Sequence, residues 1–175
     1  MRGSPHSNTV ANARDEELVA ASGRHLHAAT RELVNRHSPM VYALCFRWLS
    51  DEEQAIEVCV DAFAEVFAQK NPKDAFQVRL YRIISASLEK THTPAVVIRT
   101  APKQRSLGGL LSRCMAALEP EHRLILLLRD LCGLGIDTIA KVLEVPERTA
   151  YSRLSRSRTE LAREVARHSS PVDVV

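Results

Sequence analysis

Aromatic residues make up only 5% of this 175-residue chain, and no segment carries a strand signal. No uninterrupted apolar run approaches the roughly 18 residues of a membrane-spanning helix. The opening stretch "MRGSPHSNTVANAR" also lacks a signal-peptide core, so a cytoplasmic protein without membrane insertion is expected. Cysteine is confined to Cys45, Cys59, Cys114 and Cys132, with no CxxC pair and no Cys/His ligand spacing; small buried hydrophobes are expected, not a metal or redox centre. The histidines are scattered, and His25 and His27 stand two apart, on different faces of a helix. No nucleophile–base set and no phosphate-cradling glycine loop occurs. Catalytic residues, metal ligands and cofactors are therefore not expected, and the chain reads as a non-enzyme.

What is abundant favours helices. Hydrophobic residues reach 45% and charged residues 26%, with a formal net charge of +3 and a pI near 8.8. That composition is globular, and the excess of base is too small to name a partner by itself. Residues 1–14 are polar and expected as a disordered tail. From 15 to 90 the apolar spacing is helical, with a break at Gly23. Pro39 is placed to open a helix carrying Val41, Leu44, Cys45, Trp48 and Leu49 inward. Ser50 with Glu53 three residues on forms a capping box for a helix carrying Ala55, Val58, Cys59, Ala62, Phe63, Val66 and Phe67 on one side. A further helix runs from about Asp74 to Lys90, with Phe76, Leu80, Ile83, Ile84 and Leu88 inward. Residues 91–109, "THTPAVVIRTAPKQRSLGG", lose the stripe and gain proline and glycine, which marks a flexible linker. A second helical set fills 110–168, and 169–175 is a tail. The expectation is all-α: two small helical domains on a tether.

Six arginines lie between Arg148 and Arg167. Advancing 100° per residue, Ala150, Leu154, Ser157, Leu161 and Val165 fall within a stripe of about 80°. Thr149, Ser152, Arg153, Arg156, Arg163 and Arg167 fall opposite, with Arg148 at the edge of that face and Arg158 beside the buried seam. Before them, Ile136, Ile139, Ala140 and Leu143 form a short amphipathic helix, then Glu144-Val145-Pro146 forms a tight turn. This is a helix-turn-helix, in which the second helix enters the major groove. Arginine can bond guanine in two places there, while Ser, Thr and further Arg hold phosphates. Arg148, Thr149, Ser152, Arg153 and Arg156 are the candidate DNA contacts.

The segment "ALEPEHRLILLLRDLCGLGIDTIAKVLEVPERTAYSRLSRSRTELA" resembles region four of bacterial sigma factors of the extracytoplasmic-function (ECF) group. Leu118, Pro120, Arg123, Gly133, Leu134, Ile139, Ala140, Leu143, Pro146, Thr149, Ser152, Arg153, Leu154, Arg156 and Arg158 fit that pattern in register. "LVNRHSPMVYALCFRWLSDEEQAIEVCVDAFAEVF" and "FQVRLYRII" resemble region two less closely. The resemblance implies a sigma factor that binds core RNA polymerase and promoter DNA at −35 and −10 elements, with an anti-sigma factor as a further partner. It also implies a −10 role for Arg79, Tyr81, Arg82 and Lys90, and polymerase docking by Glu57, Asp61 and Glu65.

Charge placement fits that division. Residues 51–69 hold six acids and no base, whereas 70–105 hold eight bases and two acids. Adjacent surfaces of opposite sign suit one protein partner and one polyanion. Region two departs from the family at Arg79, Ala86, Lys90 and Val60. Those departures keep a second reading open: a sigma-like protein that binds an anti-sigma factor or polymerase without opening promoters. A homodimeric helix-turn-helix repressor would need a dimerisation surface, and no heptad supplies one.

Overall fold

The computed structural model describes residues 13–21, 26–70, 72–91 and 107–169, which form eight α-helices and no strand. In chain order these are α1 (Asp15–Ala21), α2 (Leu26–Leu49), α3 (Glu52–Ala68), α4 (Phe76–Lys90), α5 (Leu107–Ala116), α6 (Pro120–Leu126), α7 (Ile136–Val142) and α8 (Glu147–Ser169). Gly23 and nearly all of the expected linker lie outside the described residues, as do both expected tails apart from a few residues at their inner ends.

Helices α2, α3 and α4 bury the stripes anticipated from spacing, including Leu44, Cys45, Ala55, Val66, Leu80, Ile84 and Leu88. Each fully buried Leu, Ile or Phe contributes roughly 1.5–3 kcal/mol of transfer free energy before the entropic cost of ordering. Helix α1 is tied down by Asp15, whose carboxylate accepts from Arg36 at 2.6 Å and contacts the buried ring of His37 at 2.7 Å.

Two local expectations are corrected. Pro39 does not open a helix; it sits inside the 24-residue α2. Leu33, His37, Val41, Leu44 and Trp48 are all buried at helical spacing on both sides of it. One continuous inward stripe outweighs the loss of a single main-chain hydrogen bond. Nor is Ser50 the cap of α3: Asp51 is, accepting from the Gln54 amide at 2.9 Å. Ser50 instead closes α2, its N–H bonded to Phe46 O at 2.9 Å with a left-handed φ of 56°. It cannot also hold the extended conformation a helix-starting cap requires.

The C-terminal half is built on α6 and α8. Helix α6 opens on Pro120 and passes directly into a five-residue π turn, Leu127–Leu131. There Cys132 N–H reaches back five residues to Leu127 O, and the left-handed Gly133 (φ 68°) ends the run. Only glycine takes that angle without strain. The two helical sets pack on each other: α4 lies against α7, and α2 against the π turn.

Candidate nucleic-acid interface

Helix α8 is held through Ala150, Leu154 and Ser157, all buried. The Ser157 hydroxyl donates to Arg153 O at 2.7 Å, which satisfies its polar atom inside the seam. This fixes the opposite face outward. Arg148, Ser152 and Arg156 are exposed, and Thr149 and Arg153 are half-buried at its border. The five candidate −35 residues thus share one surface, with Arg163 exposed further along it. Arg158, expected beside the seam, is turned to Asp130 of the π turn at 2.6 Å.

The sequence pattern did not single out an exposed aromatic beside this face. Tyr151 is 68% exposed, the most open large apolar side chain among those described. Its neighbours Ala150 and Ser152 drew attention to the stripe and to the polar face; the aromatic between them falls on the flank. An exposed ring there can pack on a thymine methyl or a sugar.

Helix α7 ends in a turn that presents α8. Glu144 takes a left-handed φ of 53°, and Val145 N–H closes on Ala140 O at 3.0 Å. Pro146 O then accepts from Thr149 and Ala150 as α8 begins.

The expected −10 residues do not share a surface. Arg79 is 6% exposed and donates to Val66 O at 3.1 Å and to Gln69 Oε1 at 3.0 Å. It satisfies one carbonyl in the last turn of α3 and lies over the Phe76 ring, and burial pulls its pKa below the ordinary arginine value. Tyr81 is 2% exposed, shut in where the two helical sets meet, with the Cys132 thiol of the other set among the groups that act on its phenol. Burial pushes the Tyr81 phenol up, and lifts the Cys132 thiol to about 11 against a smaller downward pull from Tyr81. Neither side chain is open to solvent in this arrangement: the end of α3 holds Arg79, and the contact between the two halves covers Tyr81. Lys90 is exposed at the end of α4. Arg82 is half-buried, bonded to Asp74 and to Lys141 O, each at 2.8 Å, with Nε 3.3 Å from Glu144.

Glu57, Asp61 and Glu65 do form an outward acidic row on α3, all exposed. Ile56 and Val60, 48% and 61% exposed, stand among them. An acidic face interleaved with bare apolar side chains suits protein docking better than a merely solvated surface.

A reciprocal contact joins the halves. Arg123 of α6 donates to Arg47 O at 2.7 Å and Trp48 O at 2.6 Å, the last-turn carbonyls of α2, with its guanidinium 4.6 Å from the Trp48 ring centroid. Arg82 of α4 does the same for the end of α7. Arg47 adds a bond to Ser112 of α5 at 3.1 Å.

Cys45, Cys59 and Cys114 are buried as expected, whereas Cys132 is only partly so; none of the four forms a disulfide, and the described residues hold no metal-ligating cluster. No described helix is long and apolar enough to cross a membrane.

Comparison with known proteins agrees with this geometry. Residues 109–161 match the family model "Sigma-70, region 4". The chain is 28% identical over 160 residues to the ECF RNA polymerase sigma factor SigE of Mycolicibacterium smegmatis, a match covering 79% of this chain. The chain spans 62% of the length of that relative. The fold is similar to that of CnrH, solved in complex with the cytosolic domain of CnrY, with a TM-score of 0.71 and 21% identity over 89% of this chain and 99% of that one. Residues 109–161 thus resemble sigma-70 region 4, within a chain that is similar over 160 residues to an extracytoplasmic-function sigma factor.

Proposed function

We propose that this protein is an RNA polymerase sigma factor that binds core polymerase and directs promoter-specific initiation. The single observation that carries this is the outward face of α8, where Arg148, Thr149, Ser152, Arg153 and Arg156 gather within the segment matched to sigma-70 region 4. On this reading the face enters the −35 major groove, with arginines on base edges and hydroxyls on phosphates. The acidic row Glu57, Asp61 and Glu65, with Ile56 and Val60, docks on core polymerase. The protein works in the cytoplasm beside polymerase, as a regulator and not as an enzyme.

Arg82 and Lys90 are the remaining −10 candidates. Arg82 is occupied by Asp74, Lys141 O and Glu144, so the two halves part before it meets DNA. CnrH was solved with the cytosolic domain of CnrY, and a comparable anti-sigma partner for this chain follows from the shared fold.

A second reading, binding to polymerase or an anti-sigma factor without promoter opening, is favoured by the burial of Arg79 and Tyr81. Run-off transcription with core polymerase, on the DNA upstream of the chain's own coding sequence, separates the two. A discrete start site that depends on this protein is expected. Polymerase binding with no transcript favours the second reading, and a dimer footprint without polymerase favours a repressor.

A further inference from the structure

The two arginines at the centre of the recognition face are linked through surface carboxylates that meet at one buried imidazole. Arg156 Nε donates to Glu160 Oε1, one turn further along α8, at 3.0 Å. The other oxygen of Glu160 meets Nδ1 of His122 on α6. On the far side of the imidazole, Nε2 lies 3.6 Å from Oε1 of Glu121. Glu121 Oε2 in turn lies 3.6 Å from Arg153 Nη1. The order is Arg156, Glu160, His122, Glu121, Arg153, guanidinium to guanidinium with one imidazole in the middle.

Burial is confined to the middle of that chain, and the Glu121 carboxylate is more exposed than the Arg153 guanidinium beyond it. His122 is 4% exposed, while the Arg153 and Arg156 side chains are 36% and 73% exposed. The centre is fixed by packing and the ends are free to meet a ligand. Burial by itself would raise the Glu160 carboxyl; hydrogen bonds from Arg156 and His122 outweigh it and hold the group below its ordinary value, ionised. A free arginine loses about 2 kcal/mol of rotamer freedom when a complex fixes it. Holding it in place beforehand reduces that loss on binding. A guanidinium already facing a carboxylate also gains less from a passing phosphate. It favours an acceptor that matches its planar fork, such as the O6/N7 edge of guanine.

We propose that His122 is a positioning residue of the DNA-reading face, which sets Arg153 and Arg156 for base recognition by holding Glu160 and facing Glu121. The proposal rests on the assignment of α8 to −35 DNA. Its consequence is selectivity more than strength. Disrupting the centre leaves two arginines that still attract phosphates but no longer prefer one sequence as strongly.

The test uses the full chain and a short duplex that it selects from a randomised pool, compared with a shuffled duplex of equal composition. His122→Leu is expected to lower the preference for the selected duplex by about five- to tenfold, a loss of order 1 kcal/mol in free energy. Affinity for the shuffled duplex should hold. His122→Asn, whose amide nitrogen takes the place of Nδ1 beside Glu160, should retain most of the preference. In a chain already carrying Arg153→Ala and Arg156→Ala, His122→Leu should cost nothing more, whereas a merely structural role would cost the same in both backgrounds. Full preference in His122→Leu, or equal loss in both backgrounds, overturns the proposal while leaving the −35 assignment intact. Unchanged preference in the double arginine variant overturns that assignment and the proposal with it. Should the leucine variant fail to fold, His122→Asn against the longer His122→Gln, whose amide nitrogen takes the place of Nε2 instead, carries the same test: equal preference in the two is the overturning result.

Discussion

Arg123 and Trp48 meet across the two helical sets: the guanidinium lies 4.6 Å from the indole centroid and donates to Trp48 O at 2.6 Å. Arg123 belongs to the matched region-four segment and Trp48 to the other half, so this pair is a contact between domains as well as a cap on α2. Burial lowers the Arg123 pKa below the ordinary arginine value, as expected where a cation is removed from water and met by carbonyls in place of a carboxylate.

Arg123→Ala should therefore loosen the closed arrangement, at a cost of about 1–3 kcal/mol for the lost charged hydrogen bonds and ring contact. Small-angle scattering should report a larger radius of gyration than for the parent. An unchanged radius, with unchanged protease sensitivity between residues 91 and 107, would reject a closing role for this contact.

On the −35 face, Arg153→Ala or Arg156→Ala should weaken binding to selected duplex DNA by about 1–3 kcal/mol where a base is read. Titration by fluorescence anisotropy at fixed salt measures it. Equal affinity in both variants would return this face to ordinary solvated surface.

For polymerase docking, replacing Glu57 and Asp61 with Lys should impair capture of core polymerase while leaving the affinity for −35 duplex intact. Both carboxylates are exposed, so the folded state should tolerate the change. Normal capture of polymerase by the double variant sinks the docking assignment.

Arg79→Ala tests the internal role of that residue. It removes the donors to Val66 O and Gln69 Oε1 inside the first helical set. Thermal unfolding should show a loss of about 2–3 kcal/mol, since buried acceptors are left unpaired. A fully stable variant with impaired promoter opening would instead restore the DNA role.

The Cys132 thiol sets an alkaline limit. Its value is about 11 in the folded chain against an ordinary 9.0, so the unfolded chain releases this proton first. Its contribution to stability is complete below pH 9 and is lost as pH rises through 11. Tyr81 is shifted in the same direction and extends the loss upward. Cys132→Ala should show a shallower fall in thermal midpoint across that window, and an identical slope would remove Cys132 from the account.

Helices and their inward faces could be read from the sequence because apolar spacing repeats with the helical period, as in Ala55, Cys59, Ala62, Phe63 and Val66. The outward face of α8 was equally readable, because a seam of Ala150, Leu154 and Ser157 leaves only one side for the arginines. What spacing could not reveal was the use of arginine inside the protein. Arg79, Arg82 and Arg123 look in sequence like surface cations, yet each donates to a main-chain carbonyl near a helix C-terminus. Such acceptors carry no side-chain signature, and in two of the three pairs the partner lies in the other half of the chain. Ser50 shows the same limit at short range. Its hydroxyl suits a helix start, but the end of α2 had prior claim on its backbone.

The reciprocal use of arginine has a consequence for how surroundings bias this molecule. Arg123 on the end of α2 and Arg82 on the end of α7 both address carbonyl dipoles, largely shielded from water in the first contact, and ions in solution screen such contacts weakly. Grip on a phosphate backbone falls steeply as salt rises, because each contact depends on releasing counterions. Concentrated electrolyte therefore weakens the hold on nucleic acid while sparing the internal fastening, and it tilts the population toward the folded-up, unengaged form.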